Sequence, residues 1–256
     1  MTQPLLSFQA CTMRFGGLVA VADLTFDIGP NDLIGMIGPN GAGKTTVFNM
    51  ITGFYIPTSG HILFKSENIN GRKPYQIARM GISRTFQNIR LCQSLTVFES
   101  AQVSQTKLVK YGFTQAALGL NSCFKEEEQI QENVMKILEI FNLGNICYEQ
   151  STSLPYGDQR RLEIVRGLAT NPSLLLLDEP AAGLNPTEKV QLMQLIHAIR
   201  EKFNIAILMI EHDMRVVMGI CERVIVLDYG EKIAEGTPEE VQNNPRVVEA
   251  YLGEKV

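Results

Sequence analysis

No run of apolar residues in this 256-residue chain approaches the ~20 that a helix needs to span a bilayer. The longest, Leu174-Leu175-Leu176-Leu177 and Ile205 to Ile210, have the length of buried parallel strands. Any action on a membrane is therefore expected to run through a partner. Met1-Thr2-Gln3-Pro4 lacks the basic and apolar regions of a signal peptide. There is no long Lys/Arg run and the net charge is −4, so a nucleic-acid surface is not expected. The five cysteines, Cys11, Cys92, Cys123, Cys147 and Cys221, are scattered, odd in number and without a C-x-x-C. That usage reads as reduced, structural thiols of a cytosolic protein. No internal repeat or low-complexity tract interrupts the chain.

What is present is a chain 45% hydrophobic, enough for a substantial core. Its length suits one large α/β domain, or one such domain with an inserted subdomain. The first part is β-rich, with strands read at Leu5–Thr12, Leu24–Ile28, Leu33–Ile37 and His61–Phe64. From about Asn88 to Thr170 strand patterns vanish. In Glu126–Phe141 the apolar Ile130, Val134, Ile137, Leu138 and Phe141 recur at helical spacing. The run Lys125-Glu126-Glu127-Glu128 reads as a solvated start of that helix, its acids near the positive dipole end. The α/β pattern then returns. Asn185-Pro186-Thr187-Glu188 carries the N-cap, first-turn proline and back-reaching Glu of a helix start, and Thr237-Pro238-Glu239-Glu240 is a second one. Asn244-Pro245 opens a last amphipathic helix with Val247, Val248, Tyr251 and Leu252 on its apolar side.

Gly38-Pro39-Asn40-Gly41-Ala42-Gly43-Lys44-Thr45-Thr46 matches G-x-x-x-x-G-K-[ST]. A buried strand, Leu33–Ile37, precedes it and a helix from Lys44 to Ile51 follows, which is the context a phosphate loop requires. Its glycines allow backbone conformations closed to other residues, bringing N–H groups close to phosphates. The helix N-terminus adds unpaired donors and a positive dipole end. Lys44 is expected on the β- and γ-phosphates of ATP, and the Thr45 hydroxyl on Mg²⁺. The apolar strand at Leu174–Leu177 ends in Asp178-Glu179-Pro180. Such a strand end lies at the carboxyl edge of a parallel sheet, where ligands bind. Asp178 is expected to hold Mg²⁺ and Glu179 to act as general base toward the attacking water, a role that contributes about 10²–10⁴-fold in rate.

With these motifs in order, the chain resembles the ATP-binding subunits of ABC transporters over nearly its whole length. The resemblance implies a P-loop NTPase fold. A RecA-like, mostly parallel sheet core carries an N-terminal antiparallel β part, and an α-helical subdomain is inserted. It divides the chain into a catalytic core at 1–87 and 167–256 and a helical subdomain at 88–166. Gln87, in Arg84-Thr85-Phe86-Gln87-Asn88, resembles the glutamine that reaches Mg²⁺ and the attacking water. His212, in Ile210-Glu211-His212-Asp213, resembles the switch histidine on the γ-phosphate. A lone histidine after a strand is more often a packing residue, so the order of motifs decides here; His61 and His197 match no motif. Phe15 resembles the aromatic that stacks on adenine.

The signature segment departs from Leu-Ser-Gly-Gly-Gln. Here it reads Leu154-Pro155-Tyr156-Gly157-Asp158-Gln159, with Leu154 and Gly157 kept for the nucleotide bound on an opposite subunit. Proline at 155 brings neither hydroxyl nor N–H. Asn185 stands where an aspartate is usual. These departures imply asymmetry. The chain is expected in a heterodimer with a second ATP-binding subunit rather than in a homodimer, offering good catalytic residues and a weak signature.

Met13-Arg14-Phe15-Gly16-Gly17, Asn49 to Tyr55, the tyrosine-bearing signature, Ala181 to Pro186 and the tail Asn243 to Gly253 add a narrower likeness. It is to the G-type ATPase of branched-chain amino acid importers. The likeness implies two transmembrane permease subunits, an extracytoplasmic solute-binding protein and a peripheral place on the cytoplasmic face of a bacterial inner membrane. Other amino acids, urea-type solutes and lipopolysaccharide export stand as alternatives; the export ATPase usually keeps the signature serine and both glycines. The insertion is too short for the coiled coil of ABC-type DNA-repair proteins, and one cassette is fewer than translation factors carry. No Asn-Lys-x-Asp reads guanine, and both Glu179 and His212 are present, unlike a non-catalytic cassette.

Overall fold

The computed structural model describes residues 3–105 and 121–252, so part of the expected helical insertion and Gly253 of the tail lie outside the described residues. The chain forms two compact units, Met1–Arg84 with Ser173–Val256, and Thr85–Pro172. The divisions therefore fall at 84/85 and 172/173 rather than at 87/88 and 166/167. One reason is that the helix beginning at Tyr156 runs unbroken to Ala169 and stays whole in the second unit.

The first unit holds two sheets. One is antiparallel, in the order β2–β1–β4–β5, from β1 (Leu6–Phe15), β2 (Leu18–Ile28), β4 (Ser59–Phe64) and β5 (Glu67–Asn68). β1 and β2 run longer than their apolar patterns suggest because they are one hairpin, turned at Gly16 with φ 58°. The six-stranded sheet has the order β10–β9–β3–β8–β7–β6. It comprises β3 (Leu33–Ile37), β6 (Ile82–Arg84), β7 (Leu174–Asp178), β8 (Ala206–Ile210), β9 (Arg223–Asp228) and β10 (Glu231–Gly236). All its pairings are parallel except β9 with β10. β3, β7 and β8 are buried along their whole length, as strands covered on both faces must be.

One core spans both sheets and helix α1 (Lys44–Ile51). It joins Leu6, Phe8 and Phe26 of the antiparallel sheet to Val47, Phe48 and Ile51 of α1, and to Met36, Leu176, Leu208 and Ile225 of the parallel one. That core fixes where α1 starts, and so where the loop before it stands. The start of the helix Pro186–Phe203 is built as its sequence suggests. The Asn185 side chain accepts from the Glu188 N–H at 3.0 Å, and Glu188 answers on the Asn185 N–H at 2.8 Å. The Thr237–Glu240 capping box likewise opens Pro238–Gln242.

In the second unit, helices Val97–Val103, Asn121–Ile140 and Tyr156–Ala169 pack on one another. Val97, Ala101, Val134, Leu138, Phe141, Leu162 and Val165 are buried there. Lys125, Glu127 and Glu128 are exposed and Glu126 is half-buried within the helix described over Asn121–Ile140; the residues before Asn121, which decide where that helix starts, lie outside the described residues.

Candidate functional site

Parallel pairing brings the carboxyl ends of β3, β8 and β7 to one edge, in adjacent positions. From that edge spring the phosphate loop, Glu211-His212 and Asp178-Glu179. The loop's shape needs glycine at two places. At Gly38, φ is 150° and a Cβ would sit 2.0 Å from the Leu227 carbonyl oxygen; at Gly43, φ is 100° and a Cβ would sit 2.5 Å from that of Ala20. A buttress holds the loop from behind. The Tyr229-Gly230 turn joins β9 to β10 with both φ values positive, and the Gly230 N–H donates to the Ala42 carbonyl at 3.1 Å. The phenol of Tyr251, in the last helix Pro245–Leu252, is pushed up by burial and drawn back down by the Gly38 N–H near it. Pro39, Asn40, Gly41 and Ala42 also border a cavity of about 560 Å³ whose far wall includes Arg246 and Glu249.

The Lys44 ammonium is buried and folds back on its own loop, donating to the Gly38 and Pro39 carbonyls at 2.7 and 2.9 Å. Burial lowers its pKa, while the charges of Glu179 and Asp178 pull it back up. Thr45 is exposed and Thr46 half-buried at the helix start. Lys44, Thr45, Asp178, Glu179 and His212 thus belong to one compact unit and one sheet edge.

Glu179 adopts φ 48°, a left-handed backbone that costs a non-glycine residue about 1–3 kcal/mol. Its N–H is tied to the Ile210 carbonyl at 2.9 Å, and its Oε1 lies 2.8 Å from His212 Nε2. The strain is held by the loop and aims the carboxylate at the histidine.

Two further residues shape the edge. Arg84, at the end of β6, donates to Asp178 Oδ2 at 2.7 Å and to Asn49 Oδ1 at 2.7 Å, with its guanidinium over the Phe48 ring. Asp178 is 4% exposed. Glu211 is buried and accepts from the N–H groups of Ala181 at 2.7 Å and His212 at 3.1 Å. It thereby locks the loop after Glu179 to the loop bearing His212. Burial raises the Glu211 carboxyl, these N–H groups lower it, and the nearby Glu179 charge raises it again. Sequence reasoning missed both: Glu211 directly follows the apolar strand β8, a usable signal, whereas Arg84 ends the short Ile82-Ser83-Arg84, which has no apolar run.

Phe15 ends β1 with its ring 41% exposed and edge-on to Tyr55 at 5.1 Å between centroids. Gln87, Leu154 and Gly157 belong to the second unit. There Pro155 is the N-cap of the signature helix and provides no side-chain cap, with φ −52° and ψ 150°. Leu154 is buried, and the Gln159 amide donates to its carbonyl at 2.8 Å. Tyr156 and Pro155 face solvent and Gly157 is half-buried.

Comparison with known proteins accords with this geometry. The family described as ABC transporter matches residues 21–182, and a second, described as branched-chain amino acid ATP-binding cassette transporter, matches residues 231–256. The chain is 48% identical over 254 residues to the high-affinity branched-chain amino acid transport ATP-binding protein LivG of Escherichia coli, covering 99% of this chain and 100% of the relative. To BraF of Pseudomonas aeruginosa, named for the same transport, it is 44% identical over the same shares. A solved structure, the ADP conformation of MJ1267, an ATP-binding cassette of an ABC transporter, superposes with a TM-score of 0.85 at 30% identity, covering 99% of this chain and 100% of that one. The match to the ABC transporter family over residues 21–182 and the likeness to LivG along the whole length, on a fold whose sheet edge presents Lys44, Asp178-Glu179 and His212, make this chain an ATP-binding cassette of the ABC transporter family.

Proposed function

We propose that this cassette hydrolyses ATP at the edge formed by Lys44, Asp178, Glu179 and His212. The reaction powers uptake of branched-chain amino acids through two transmembrane permease subunits, to which the chain attaches from the cytoplasmic face of a bacterial inner membrane. The observation that carries the reading is the strained Glu179 held 2.8 Å from His212 on the edge that also presents Lys44. The transported solute rests on the names of the relatives. Among the described residues no helix is long and apolar enough to cross a membrane, so the permeases supply the path.

On binding, Lys44 exchanges the Gly38 and Pro39 carbonyls for β- and γ-phosphate oxygens, which keeps a desolvated ammonium paired. The N–H groups of Gly41 and of Gly43 to Thr46 cradle the phosphates and the Phe15 ring stacks on adenine. Glu179 takes a proton from the attacking water as that water joins the γ-phosphorus and the bond from that phosphorus to the β–γ bridging oxygen breaks, giving ADP and inorganic phosphate. His212 orients the Glu179 carboxylate and faces the γ-phosphate, and Gln87 positions the water. Most of the catalysis is positioning and charge stabilisation.

Mg²⁺ suits the donor set. The Thr45 hydroxyl and the Asp178 carboxylate, both of the first unit, are hard oxygen ligands, and the resemblance implies the Gln87 amide as a further one; no group of three or more His, Cys, Asp or Glu forms a closed cage among the described residues. Such a site is completed by substrate phosphates, whose charge the ion neutralises when bound.

Two cassettes close on ATP, each nucleotide held between one phosphate loop and the other subunit's signature. The helical subdomain carries that closure to the permeases. Pro155 leaves the signature helix without a side-chain cap or hydroxyl for the opposite phosphate. This supports a heterodimer in which the partner supplies the stronger signature, with an extracytoplasmic solute-binding protein completing the system. The test is ATPase activity of this chain alone and mixed with the second cassette of its transporter, with Glu179→Gln as control. Strong activity only in the mixture, lost in the control, is the expected result. Equal activity alone means a homodimer, and activity surviving the substitution means that Glu179 is not the base.

A further inference from the structure

The signature helix carries a charged stripe that grips the backbone of the segment bearing Gln87. Arg160 is 1% exposed, the largest fully buried side chain among the described residues. Its Nη1 donates to the Phe86 carbonyl at 3.0 Å and its Nη2 to the Gln87 carbonyl at 3.0 Å. Glu163, one turn on and 4% exposed, accepts from Arg160 Nη1 at 3.2 Å and from the Phe86 N–H. A further turn on, Arg166 donates to the Arg90 carbonyl at 2.7 Å. Tyr156, the residue that replaces a signature glycine, sets its hydroxyl 3.4 Å from Arg160 Nη2 and its ring beneath the guanidinium, 5.9 Å from centroid. Residues 160, 163 and 166 lie three apart, on neighbouring positions of one helix face.

A buried Arg–Glu pair is costly to assemble and is weak evidence for stability by itself. Here both members also bond one short stretch of main chain. An arginine fork can hold two adjacent carbonyls at once, whereas a lysine ammonium is a point charge on a flexible stem. Phe86 is held through its N–H and its carbonyl together, so the peptide on either side of it has little freedom to turn.

We infer that Arg160, Glu163 and Arg166 are positioning residues that fasten segment 86–90 to the signature helix. The amide of Gln87, which serves this chain's own nucleotide, and Gly157, which serves the partner's, then move as one piece. Tyr156 completes the fastening, so the substitution that weakens the signature as a phosphate cap strengthens it as a link between the two nucleotide sites. The inference rests on the proposed roles of Gln87 and Gly157, but the fastening itself can be measured without turnover.

The first arm is amide hydrogen exchange on the full-length, nucleotide-free chain. In Arg160→Lys and Glu163→Gln, exchange across residues 86–90 is expected to speed by about tenfold or more, with amides of β3 and β7 unchanged. The second arm is ATP hydrolysis by the assembled pair of cassettes, in which Arg160→Lys is expected to lower the Hill coefficient toward ~1. There Tyr156→Phe, which keeps the ring and removes only the hydroxyl, is expected to fall between wild type and Arg160→Lys. Unchanged exchange at 86–90 in the variants overturns the fastening, and faster exchange with an unchanged Hill coefficient overturns the link between sites. Should Arg160→Lys fail to fold, Glu163→Gln and Tyr156→Phe carry the same two readouts. A wild-type pair that does not hydrolyse ATP counts against the proposed function and leaves the exchange result standing.

Discussion

His212 Nε2 stands 2.8 Å from Glu179 Oε1, across two loops that leave neighbouring parallel strands. The contact is made with Glu179 bent into its left-handed conformation. Glu179→Gln keeps the shape and can still meet the histidine, but it cannot take the proton. Single-turnover hydrolysis is expected to slow by about 10²–10⁴-fold while the affinity for a fluorescent ATP analogue stays within roughly threefold. His212→Ala, which frees the carboxylate to wander, is expected to lower the rate with equally little effect on binding. A Glu179→Gln chain that hydrolyses ATP normally would assign the base elsewhere.

Arg84 and Asp178 form a buried ion pair at 2.7 Å, and removing Arg84 deprives the Asp178 carboxylate of its bonded guanidinium while the Lys44 charge stays nearby. Arg84→Met is expected to destabilise the fold by about 3–5 kcal/mol. The double variant Arg84→Met with Asp178→Asn should recover much of that loss, since it removes both charges. Chemical denaturation of the four proteins of this cycle gives the coupling directly. Strictly additive effects would mean the pair contributes nothing.

Phe15 presents an exposed ring beside Tyr55 rather than a ring sunk in the core. If it stacks on adenine, Phe15→Ala should raise the KM for ATP by about 2–12-fold, the range of an aromatic contact of roughly 0.5–1.5 kcal/mol, with kcat nearly unchanged. Phe15→Trp should restore the affinity. A change in melting temperature without a change in KM would return Phe15 to a packing role.

Glu211 gives a pH dependence with a definite sign. Burial pushes its carboxyl above the ordinary value of 4.5, so the folded chain holds that proton to higher pH than the unfolded chain does. The folded state then binds more protons, and its stability falls as pH rises from 4.5 through the raised value. Glu211→Gln carries no such proton. The melting temperature of wild type minus that of the variant should therefore shrink as pH rises across this window. A difference that grows with pH would reverse the sign and refute the assignment.

The parts of the site that could be read from the sequence are contiguous. Gly38 to Thr46 and Asp178-Glu179 announce themselves because their chemistry lies within one turn or one strand end. His212 was legible only through motif order, since nothing local separates it from a surface histidine. Arg84–Asp178, Glu211–Ala181 and Arg160–Gln87 were invisible for one shared reason. Their partners are 94, 30 and 73 residues apart, joined by sheet order or helix packing that no local pattern encodes. β10 was missed because Glu231-Lys232-Ile233-Ala234-Glu235-Gly236 has no apolar run; it is an antiparallel edge strand, half of it facing water.

The position of β3 carries a consequence for synthesis. The strand that leads into the phosphate loop is made early, at Leu33–Ile37, yet both its neighbours come late: β8 at Ala206–Ile210 and β9 at Arg223–Asp228. The turn that braces the loop, Tyr229-Gly230, comes later still. A chain emerging from the ribosome therefore exposes this fully buried, apolar strand for most of its translation, with neither sheet neighbour to receive it. The loop can take its final shape only when nearly the whole polypeptide is out. A nascent or prematurely terminated chain thus carries the G-x-x-x-x-G-K-T sequence in an unformed loop, and an incomplete cassette is kept from competing for nucleotide.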